Sequence, residues 1–476
     1  MHIHILGICG TAMAGFARIA TQLGHHVTGA DANVYPPMSE VLADLGIAVH
    51  QGYGAESLVP RPDLVLIGNA LSRGNPAVEA VLSRGIPYTS GPEWLSRNVL
   101  TGRRVIALSG THGKTTTTAL VTHILKSAGY EPGYMVGGQV PDLGATADLG
   151  MGDWFVIEAD EYDTAFFDKR SKFVHYRPNC LAINNLEFDH ADIFADLSAI
   201  ETQFHHLVRT VPANGVILAN ANAPAIDRVL ARGCWTPVYR FAASASASTN
   251  AALRLAEASD PSTACMLHID GCYLDAVAPQ TVAIRTQLLG TFNQENIAVA
   301  LGAALFAGVP LDKARAAVAS FRGVIRRLQP IFSTPGLTVY DDFAHHPTAI
   351  AATLQGLRRA HPDARILVAL EPRSNTMRMG LHRDALATSL AAADAAHMLI
   401  APDLGWTPSL AAASLPVTLH AAIDDLERAL LAEVAAHSGA PLHLVLMSNG
   451  GFGGLPQRLP ATLATALASA HTERRN

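Results

Sequence analysis

One stretch, RRVIALSGTHGKTTTT (Arg103–Thr118), constrains the fold of this chain more than any other feature. An apolar strand runs into a glycine-rich turn, and the turn runs into a helix whose apolar residues recur on one face. Such a unit is typical of a parallel α/β sheet, with anions bound where the helix begins. The pattern therefore predicts an α/β fold with a phosphate loop.

The loop itself predicts the chemistry of a nucleoside triphosphate. Gly110 and Gly113 allow backbone N–H groups to converge on one anion, and Lys114 can reach the β- and γ-phosphates. The hydroxyl of Thr115 can ligate Mg²⁺. Leu108 stands where the usual G-x-x-x-x-G-K-[ST] pattern has its first glycine, so a glycine turn with a chance lysine is the alternative.

Strand-like and helix-like stretches alternate through three blocks of the chain. We predict a Rossmann-like N-terminal domain over residues 1–102, a central phosphate-loop ATPase domain over 103–320 and a C-terminal Rossmann-like domain over 321–476. In the third block, polar or glycine-rich loops follow buried strands. Open parallel sheets bind ligands at that edge.

Composition excludes several classes of protein. The formal net charge is −6 with no long basic run, which argues against nucleic-acid binding. No apolar run reaches about 18 residues, so we expect no membrane span. The five cysteines form no C-x-x-C pair, so we expect neither a disulfide framework nor a zinc site. The start, MHIHILGICG, is predicted to be a buried strand and not a signal peptide, and we expect a cytoplasmic protein.

The first block resembles a dinucleotide-binding turn. A strand over Ile3–Leu6 precedes Gly7 and Gly10, a helix is predicted from about Thr11 to Leu23, and Asp31 ends the second strand. The spacing differs from G-x-G-x-x-G, so a tight turn without a ligand is the alternative.

Acidic residues follow two further apolar strands. In EADEYD, Glu158 and Asp160 end one strand, where nucleotidases place a magnesium ligand. In NNLEFDHADIF, Asp189, His190 and Asp192 follow the next. A solvated acidic turn and a structural histidine are the alternatives, because magnesium prefers oxygen ligands.

Together these segments resemble the Mur ligase family, the amide-bond ligases of peptidoglycan precursors. GTHGKT is similar to the family's ATP loop, EADEYD to its E-A-D-E-S-D segment, and NNLEFDHADIF to its N-x-x-x-D-H-x-D segment. The resemblance implies that Thr115 holds one Mg²⁺ and that Glu158 and His190 hold a second. It also implies an ATP loop of Gly110, Thr111, His112, Gly113, Lys114, Thr115 and Thr116.

More segments of the family's pattern follow in order. LLGTFNQENIAVALGAAL carries Asn293 and Asn296 at the positions that contact adenine, with helix capping as the alternative, and Phe292 replaces a usual histidine. In GVIRRLQP, Arg327 is implied to reach the γ-phosphate. In DDFAHHPTA, Asp342 is implied to hold the ribose and His345 to lie near an acyl phosphate. The implied catalytic residues are Lys114, His345 and Arg327.

Absence of a lysine between Lys172 and Lys313 indicates the branch of the family that lacks a carbamylated lysine. LEPRSNTMRMG and MSNGGFGG further resemble the members that join UDP-N-acetylmuramate to the murein tripeptide L-alanyl-γ-D-glutamyl-meso-diaminopimelate in peptidoglycan recycling. The alternative is the alanine-adding ligase of biosynthesis. Implied peptide-binding residues are Arg373, Ser374, Asn375, Thr376, Ser448 and Asn449. Implied UDP-sugar-binding residues are Gly7, Cys9, Gly10, Thr11, Met13 and Asp31.

Two rival functions come from other classes of protein. A nicotinamide oxidoreductase would rest on the first block alone, and a regulatory phosphate-loop ATPase on the second. The sequence does not predict the oligomeric state.

Overall fold

A computed structural model describes residues 1–34, 38–243, 251–257, 265–271, 273–274, 278–410 and 413–473. The chain forms two compact units. The first contains residues 1–188, 196–287 and 294–323, and the second contains 189–195, 288–293 and 324–476. The described parts are α/β with mainly parallel sheets, which confirms the predicted fold class. The predicted boundaries at 102 and 320 stay predictions.

The first block forms a parallel sheet in the order β3-β2-β1-β4-β5. Its strands are β1 (His2–Leu6), β2 (His26–Asp31), β3 (Ala48–Gln51), β4 (Leu64–Ile67) and β5 (Tyr88–Ser90). Its helices are α1 (Thr11–Gln22), α2 (Met38–Asp44), α3 (Pro76–Ser83) and α4 (Gly91–Leu95). The predicted first helix is confirmed, ending one residue earlier than expected.

The second block forms a sheet in the order β17-β16-β15-β14-β13-β12-β6-β9-β7-β8, parallel between β15 and β7. Its strands are β6 (Arg104–Ser109), β7 (Gly133–Met135), β8 (Ala147–Asp148), β9 (Trp154–Glu158), β12 (Cys180–Ile183), β13 (Val216–Asn220), β14 (Val238–Ala243), β15 (Leu253–Glu257), β16 (Cys265–Ile269) and β17 (Gln280–Ile284). A separate hairpin joins β10 (Asp163–Ala165) and β11 (Asp168–Ser171).

Helices that follow these strands carry the apolar faces that cover the sheet. They are α5 (Lys114–Ser127), α6 (Leu197–Val208), α7 (Pro224–Ala231), α8 (Thr291–Phe306) and α9 (Leu311–Ser320). The predicted apolar face of α5 is confirmed, since all four of its residues are fully buried: Leu120, Val121, Ile124 and Leu125.

The second unit contains a sheet in the order β18-β19-β23-β20-β21-β22, parallel except for the β18–β19 pair. Its strands are β18 (Gln329–Thr334), β19 (Leu337–Asp342), β20 (Arg365–Leu370), β21 (Ala395–Leu399), β22 (Val417–His420) and β23 (Leu442–Met447). Its helices are α10 (Pro347–Ala360), α11 (Asn375–Arg378), α12 (Arg383–Ser389), α13 (Ile423–Ala436) and α14 (Leu455–Glu473). Apolar residues pack on both faces of this sheet.

The described residues bear on the expected absence of a membrane span and of a disulfide framework. None of the helices found there is both long enough and apolar enough to cross a bilayer. Cys9, Cys180, Cys234 and Cys265 are free thiols, and Cys272 lies outside the described residues.

Candidate active site

Three neighbouring strands of the second sheet end at one edge and bring together the phosphate loop, Glu158 and the asparagines that follow β12. Ser109 at the end of β6 pairs with Ile183 at the end of β12, and Leu108 pairs with Glu158 at the end of β9. The loops after these strands therefore lie side by side at the carboxyl edge of the sheet. This edge is where parallel sheets bind ligands.

The phosphate loop requires its two glycines. Gly113 has a φ of +81°, and an added Cβ there would lie 2.5 Å from the Asn296 side-chain oxygen. Gly110 has a φ of +132°, and an added Cβ would lie 3.0 Å from the backbone of Asn185. A side chain at either position would strain the backbone and push the loop off its support.

Two asparagines after β12 hold that loop in place. Asn185 accepts the N–H of His112 at its side-chain oxygen (2.7 Å) and the N–H of Thr111 at its carbonyl (3.2 Å). Asn184 is buried and donates to Thr117 and Asn296 behind the loop. The N–H groups of Thr111 and His112 are thus used within the protein, whereas the first turn of a helix such as α5 leaves N–H groups without intrahelical partners, which suits it to an anion.

Lys114, whose side chain is 11% exposed, lies among carboxylates. Its Nζ lies 2.9 Å from Glu161 Oε2 and 3.6 Å from Asp160 Oδ1, and Glu161 is 1% exposed. Burial acts to lower the pKa of Lys114, but the charges of Glu161 and Asp160 outweigh it and hold the pKa above its usual range. The lysine is therefore a fixed positive charge at the start of α5.

Thr115 and Glu158 form an oxygen pair beside this lysine. The Thr115 hydroxyl donates to Glu158 Oε1 at 3.0 Å, and the N–H of Gly137 donates to Glu158 Oε2 at 2.7 Å. Burial raises the pKa of Glu158, while the charge of Lys114 opposes that rise. Octahedral Mg²⁺ with ligands at 2.0–2.1 Å separates adjacent ligand oxygens by about 2.9 Å, so the spacing and the donor type both fit this ion.

A cavity of about 340 Å³ opens next to the pair. Its lining comes from the start of α1 (Gly10, Thr11 and Met13), from Gly137 and from the acidic edge at Glu158 and Asp160, among others. The first turn of α1, like that of other helices, leaves N–H groups without intrahelical partners and carries partial positive charge, which suits an anion.

The remaining predicted sugar-site residues shape the turn behind α1. Asp31 is buried and accepts the N–H of Cys9 at 2.9 Å, while Gly7 has a φ of +83° and donates to the carbonyl of Ala30. Burial, followed by the charge of Asp31, raises the pKa of Tyr53 to about 12. These contacts fix the turn that presents Gly10 and Thr11 to the cavity.

Asn296 and Asn293 lie in different surroundings. Asn296, on α8, is buried and accepts from Thr117 at 3.0 Å and from Asn184 at 3.1 Å. Asn293 belongs to the second unit and donates to the carbonyl of Leu289 at 2.8 Å. Asn296 thus supports the phosphate loop directly.

In the second unit, Asp342 organises the loops that carry Arg327 and His345. Its buried carboxylate accepts the N–H of Leu328 at 2.6 Å and of Ala344 at 2.8 Å. Burial raises the pKa of Asp342, and the charge of Arg327 opposes that rise. The Arg327 guanidinium lies over the ring of Phe343 at 4.7 Å.

Most of the predicted peptide residues gather at the ends of β20 and β23. The Ser448 hydroxyl donates to Glu371 Oε2 at 2.6 Å, and Arg373 lies 3.6 Å from Glu371 Oε1. The side-chain oxygen of Asn449 is buried and has no hydrogen-bond partner among the described residues. Ser374 caps α11 by accepting the N–H of Met377.

Two residues of that segment bind the loop that carries His190. The hydroxyl of Thr376 donates to the buried carboxylate of Asp189 at 2.7 Å, and Asn375 donates to Asp192 at 2.9 Å. His190, between them, has a left-handed φ of +56°. Although this loop follows β12 in sequence, it packs with the second unit.

The sequence motifs did not predict several residues of the site. Glu161 pairs with Lys114, Asn185 holds the loop, and Glu371 links Ser448 with Arg373. The signal for Asn185 is its position two residues after the end of the buried strand β12. Its role depends on β12 lying beside β6, which local sequence does not specify.

Comparison with known proteins places these features in a family. Sequence profiles of the Mur ligase family match in order: its catalytic domain over residues 2–102, its middle domain over 108–304, and the Mur ligase, glutamate ligase domain over 326–450.

The similarity extends to individual proteins over nearly the whole chain. The UDP-N-acetylmuramate–L-alanyl-γ-D-glutamyl-meso-2,6-diaminoheptandioate ligase of Escherichia coli is 48% identical over 98% of both chains. A UDP-N-acetylmuramate–L-alanine ligase of Arthrobacter is 35% identical over 78% of this chain and 75% of its own. The crystal structure of a murein peptide ligase from Psychrobacter arcticus is 40% identical, covers 98% of both chains and superposes with a TM-score of 0.72. The chain belongs to the Mur ligase family, whose members are ATP-dependent, ADP-forming amide ligases.

Proposed function

We propose that this chain joins the lactyl carboxylate of UDP-N-acetylmuramate to the α-amine of the murein tripeptide, with ATP converted to ADP and phosphate. The observation that carries the proposal is the 48% identity, over nearly the full length of both chains, to the E. coli enzyme named for this tripeptide. The alanine-adding relative matches less closely and over a smaller share of the chain. We infer a role in peptidoglycan recycling, because the acceptor is a preformed murein peptide.

The reaction begins with activation of the carboxylate. A carboxylate oxygen attacks the γ-phosphorus, and ADP leaves with the electrons of the broken P–O bond. Lys114, fixed at the start of α5, would stabilise charge on the migrating phosphoryl group. Arg327 at the γ-phosphate and His345 near the acyl phosphate stay predictions from the family pattern.

The second step forms the amide. The neutral α-amine attacks the acyl carbon, phosphate leaves with the C–O electron pair, and the amine gives up a proton. Asn449, whose buried side-chain oxygen is an acceptor without a protein partner in the described chain, supports a peptide site at the ends of β20 and β23. Arg373 and Ser448, joined through Glu371, would position a peptide carboxylate.

Magnesium is proposed at the oxygen pair of Thr115 and Glu158, where the 3.0 Å spacing fits the ion. When bound, it would reduce the repulsion between the ATP phosphates and the approaching carboxylate. A second ion at Glu158 and His190 stays a prediction.

The cavity beside α1 is the proposed binding site of the UDP sugar. Gly10, Thr11 and Met13 line it directly, whereas Gly7, Cys9 and Asp31 fix the turn. The free amides at the start of α1 support binding of a diphosphate there. We propose that the protein acts in the cytoplasm, where ATP and nucleotide sugars are available.

A coupled assay of ADP release tests the function. We expect turnover to require UDP-N-acetylmuramate, ATP and the tripeptide together, with the amide product identified by its mass. The kcat/KM for the tripeptide should exceed that for L-alanine by roughly 10⁴-fold, the scale on which unpaired polar groups reject a wrong substrate. Equal use of alanine would instead identify the biosynthetic ligase, and ADP release without the sugar would identify an ATPase.

A further inference from the structure

The cavity beside α1 contains one cationic side chain among the described residues that line it. Its charged lining residues are Glu158, Asp160 and Lys172. Two carboxylates repel an acidic substrate, so a sugar that ends in a carboxylate needs a positive partner on this wall. Lys172 is the side chain that can supply it.

Lys172 is held in position by the hairpin that precedes it. Phe167, in the β10–β11 turn, packs edge-on against Tyr88 of the first block with ring centroids 5.0 Å apart. The N–H of Lys172 donates to the carbonyl of Tyr162 at 2.9 Å, and its Nζ lies 5.3 Å from the Tyr162 ring. The side chain is 17% exposed. The ammonium therefore enters the cavity from a fixed backbone.

Asp160 separates Lys172 from the lysine of the phosphate loop. Its Oδ2 lies 3.3 Å from Lys172 Nζ, and its Oδ1 lies 3.6 Å from Lys114 Nζ. The carboxylate of Asp160 thus lies between two ammonium groups, that of Lys114 at the phosphate loop and that of Lys172 in the cavity. An ammonium carries three N–H donors, so a bond to Asp160 leaves Lys172 able to bind a second anion.

From this arrangement we infer that Lys172 binds the lactyl carboxylate of the sugar substrate and positions it beside the phosphate loop. The inference rests on the proposed function for the identity of the sugar. It makes Lys172 the residue that distinguishes an acidic UDP sugar from a neutral one. The competing role is a purely structural partner of Asp160.

Binding without ATP and with EDTA present separates these roles. Calorimetry compares UDP-N-acetylmuramate with UDP-N-acetylglucosamine, which lacks the lactyl carboxylate. The intact protein should prefer the acidic sugar by roughly 10- to 100-fold, the range expected for a hydrogen bond between charged groups. In Lys172→Met the ratio of the Kd values for the two sugars should approach one. The Kd for the neutral sugar should stay unchanged, which would show that the cavity is intact.

Two further variants make the test specific. Lys172→Gln keeps a hydrogen-bond donor to Asp160 but carries no charge, so it should lose the preference for the acidic sugar as Lys172→Met does. A preference retained in Lys172→Gln would favour the structural role. Lys169→Met is the matched control, because Lys169 lies on the same hairpin, is 71% exposed and pairs with Asp163. It should keep the full ratio.

The outcomes distinguish the two proposals. An unchanged ratio in Lys172→Met overturns the role of Lys172 and leaves the proposed function standing. Failure of the intact protein to bind either UDP sugar overturns both.

Discussion

Replacement of Lys114 by methionine should affect both catalysis and stability, because the ammonium is the partner of a buried carboxylate. Lys114 Nζ lies 2.9 Å from Glu161 Oε2, and Glu161 is 1% exposed. Removal of one member of a buried ion pair destabilises a protein by up to about 3–5 kcal/mol, and Lys114→Met removes the ammonium that lies nearest to this buried carboxylate. Loss of one preorganised donor to the transferring phosphoryl group should add about 2.7–4 kcal/mol to the barrier, or 10²–10³-fold in kcat.

A second substitution separates these effects. Glu161→Gln removes the carboxylate that loses its ammonium partner in Lys114→Met, so the Lys114→Met/Glu161→Gln double variant should recover most of the lost stability. Its turnover should stay lower by 10²–10³-fold, since the positive charge is still missing. Glu161→Gln alone is the control and should keep a folded protein, because Lys114 retains Asp160 at 3.6 Å.

The assay pairs denaturant unfolding with ADP release for all four proteins of the cycle. A double variant that regains turnover would refute the electrostatic role of Lys114. A Lys114→Met protein as stable as the unmodified chain would show that Glu161 is compensated by another group.

Three other substitutions follow from the same structure. Thr376→Val removes the donor to the buried carboxylate of Asp189 and should lower the free energy of unfolding by about 1–3 kcal/mol, whereas Thr376→Ser should retain it; denaturant titration measures both. Burial, with smaller effects from neighbouring histidines, lowers the pKa of His4 to about 4 from its usual 6.5. The unfolded chain therefore takes up a proton first, and the free energy of unfolding falls as the pH drops from 6.5 to 4. His4→Val should remove about 2.5 kcal/mol of the difference in the free energy of unfolding between pH 8 and pH 4.5, which thermal unfolding at the two pH values measures. Gly113→Ala should weaken ATP binding in calorimetry by tenfold or more (about 1.4 kcal/mol), because its φ is +81° and a Cβ would meet a buried amide oxygen at 2.5 Å. Gly129→Ala has a similar φ of +86° with nothing within 4 Å, so it should leave ATP binding unchanged.

The sequence predicted those features of the fold that depend on consecutive residues. The strand, the glycine turn and α5 follow one another without a break, so the loop with Lys114 could be predicted from that stretch alone. The contacts of Asn185 could not, since they require β12 to pair with β6.

The peptide segment shows the same limit of local patterns. Motif resemblance predicted Thr376 as a peptide contact, whereas its bond to Asp189 joins residues 187 positions apart. That bond arises because the loop around His190 packs with the second unit. Such a pairing is a property of the folded chain and has no sequence signature of its own.

The bond between Thr117 and Asn296 can form only late in the synthesis of the chain. These residues are 179 positions apart, so the ribosome adds Asn296 about 10–35 s after Thr117 at typical rates of synthesis. Until then the phosphate loop lacks the amide that lies 2.5 Å behind the Cβ position of Gly113. A nascent chain therefore reaches residue 296 before its phosphate loop gains this support, and Arg327 and Asp342, which the family pattern implies for the nucleotide site, are added later still.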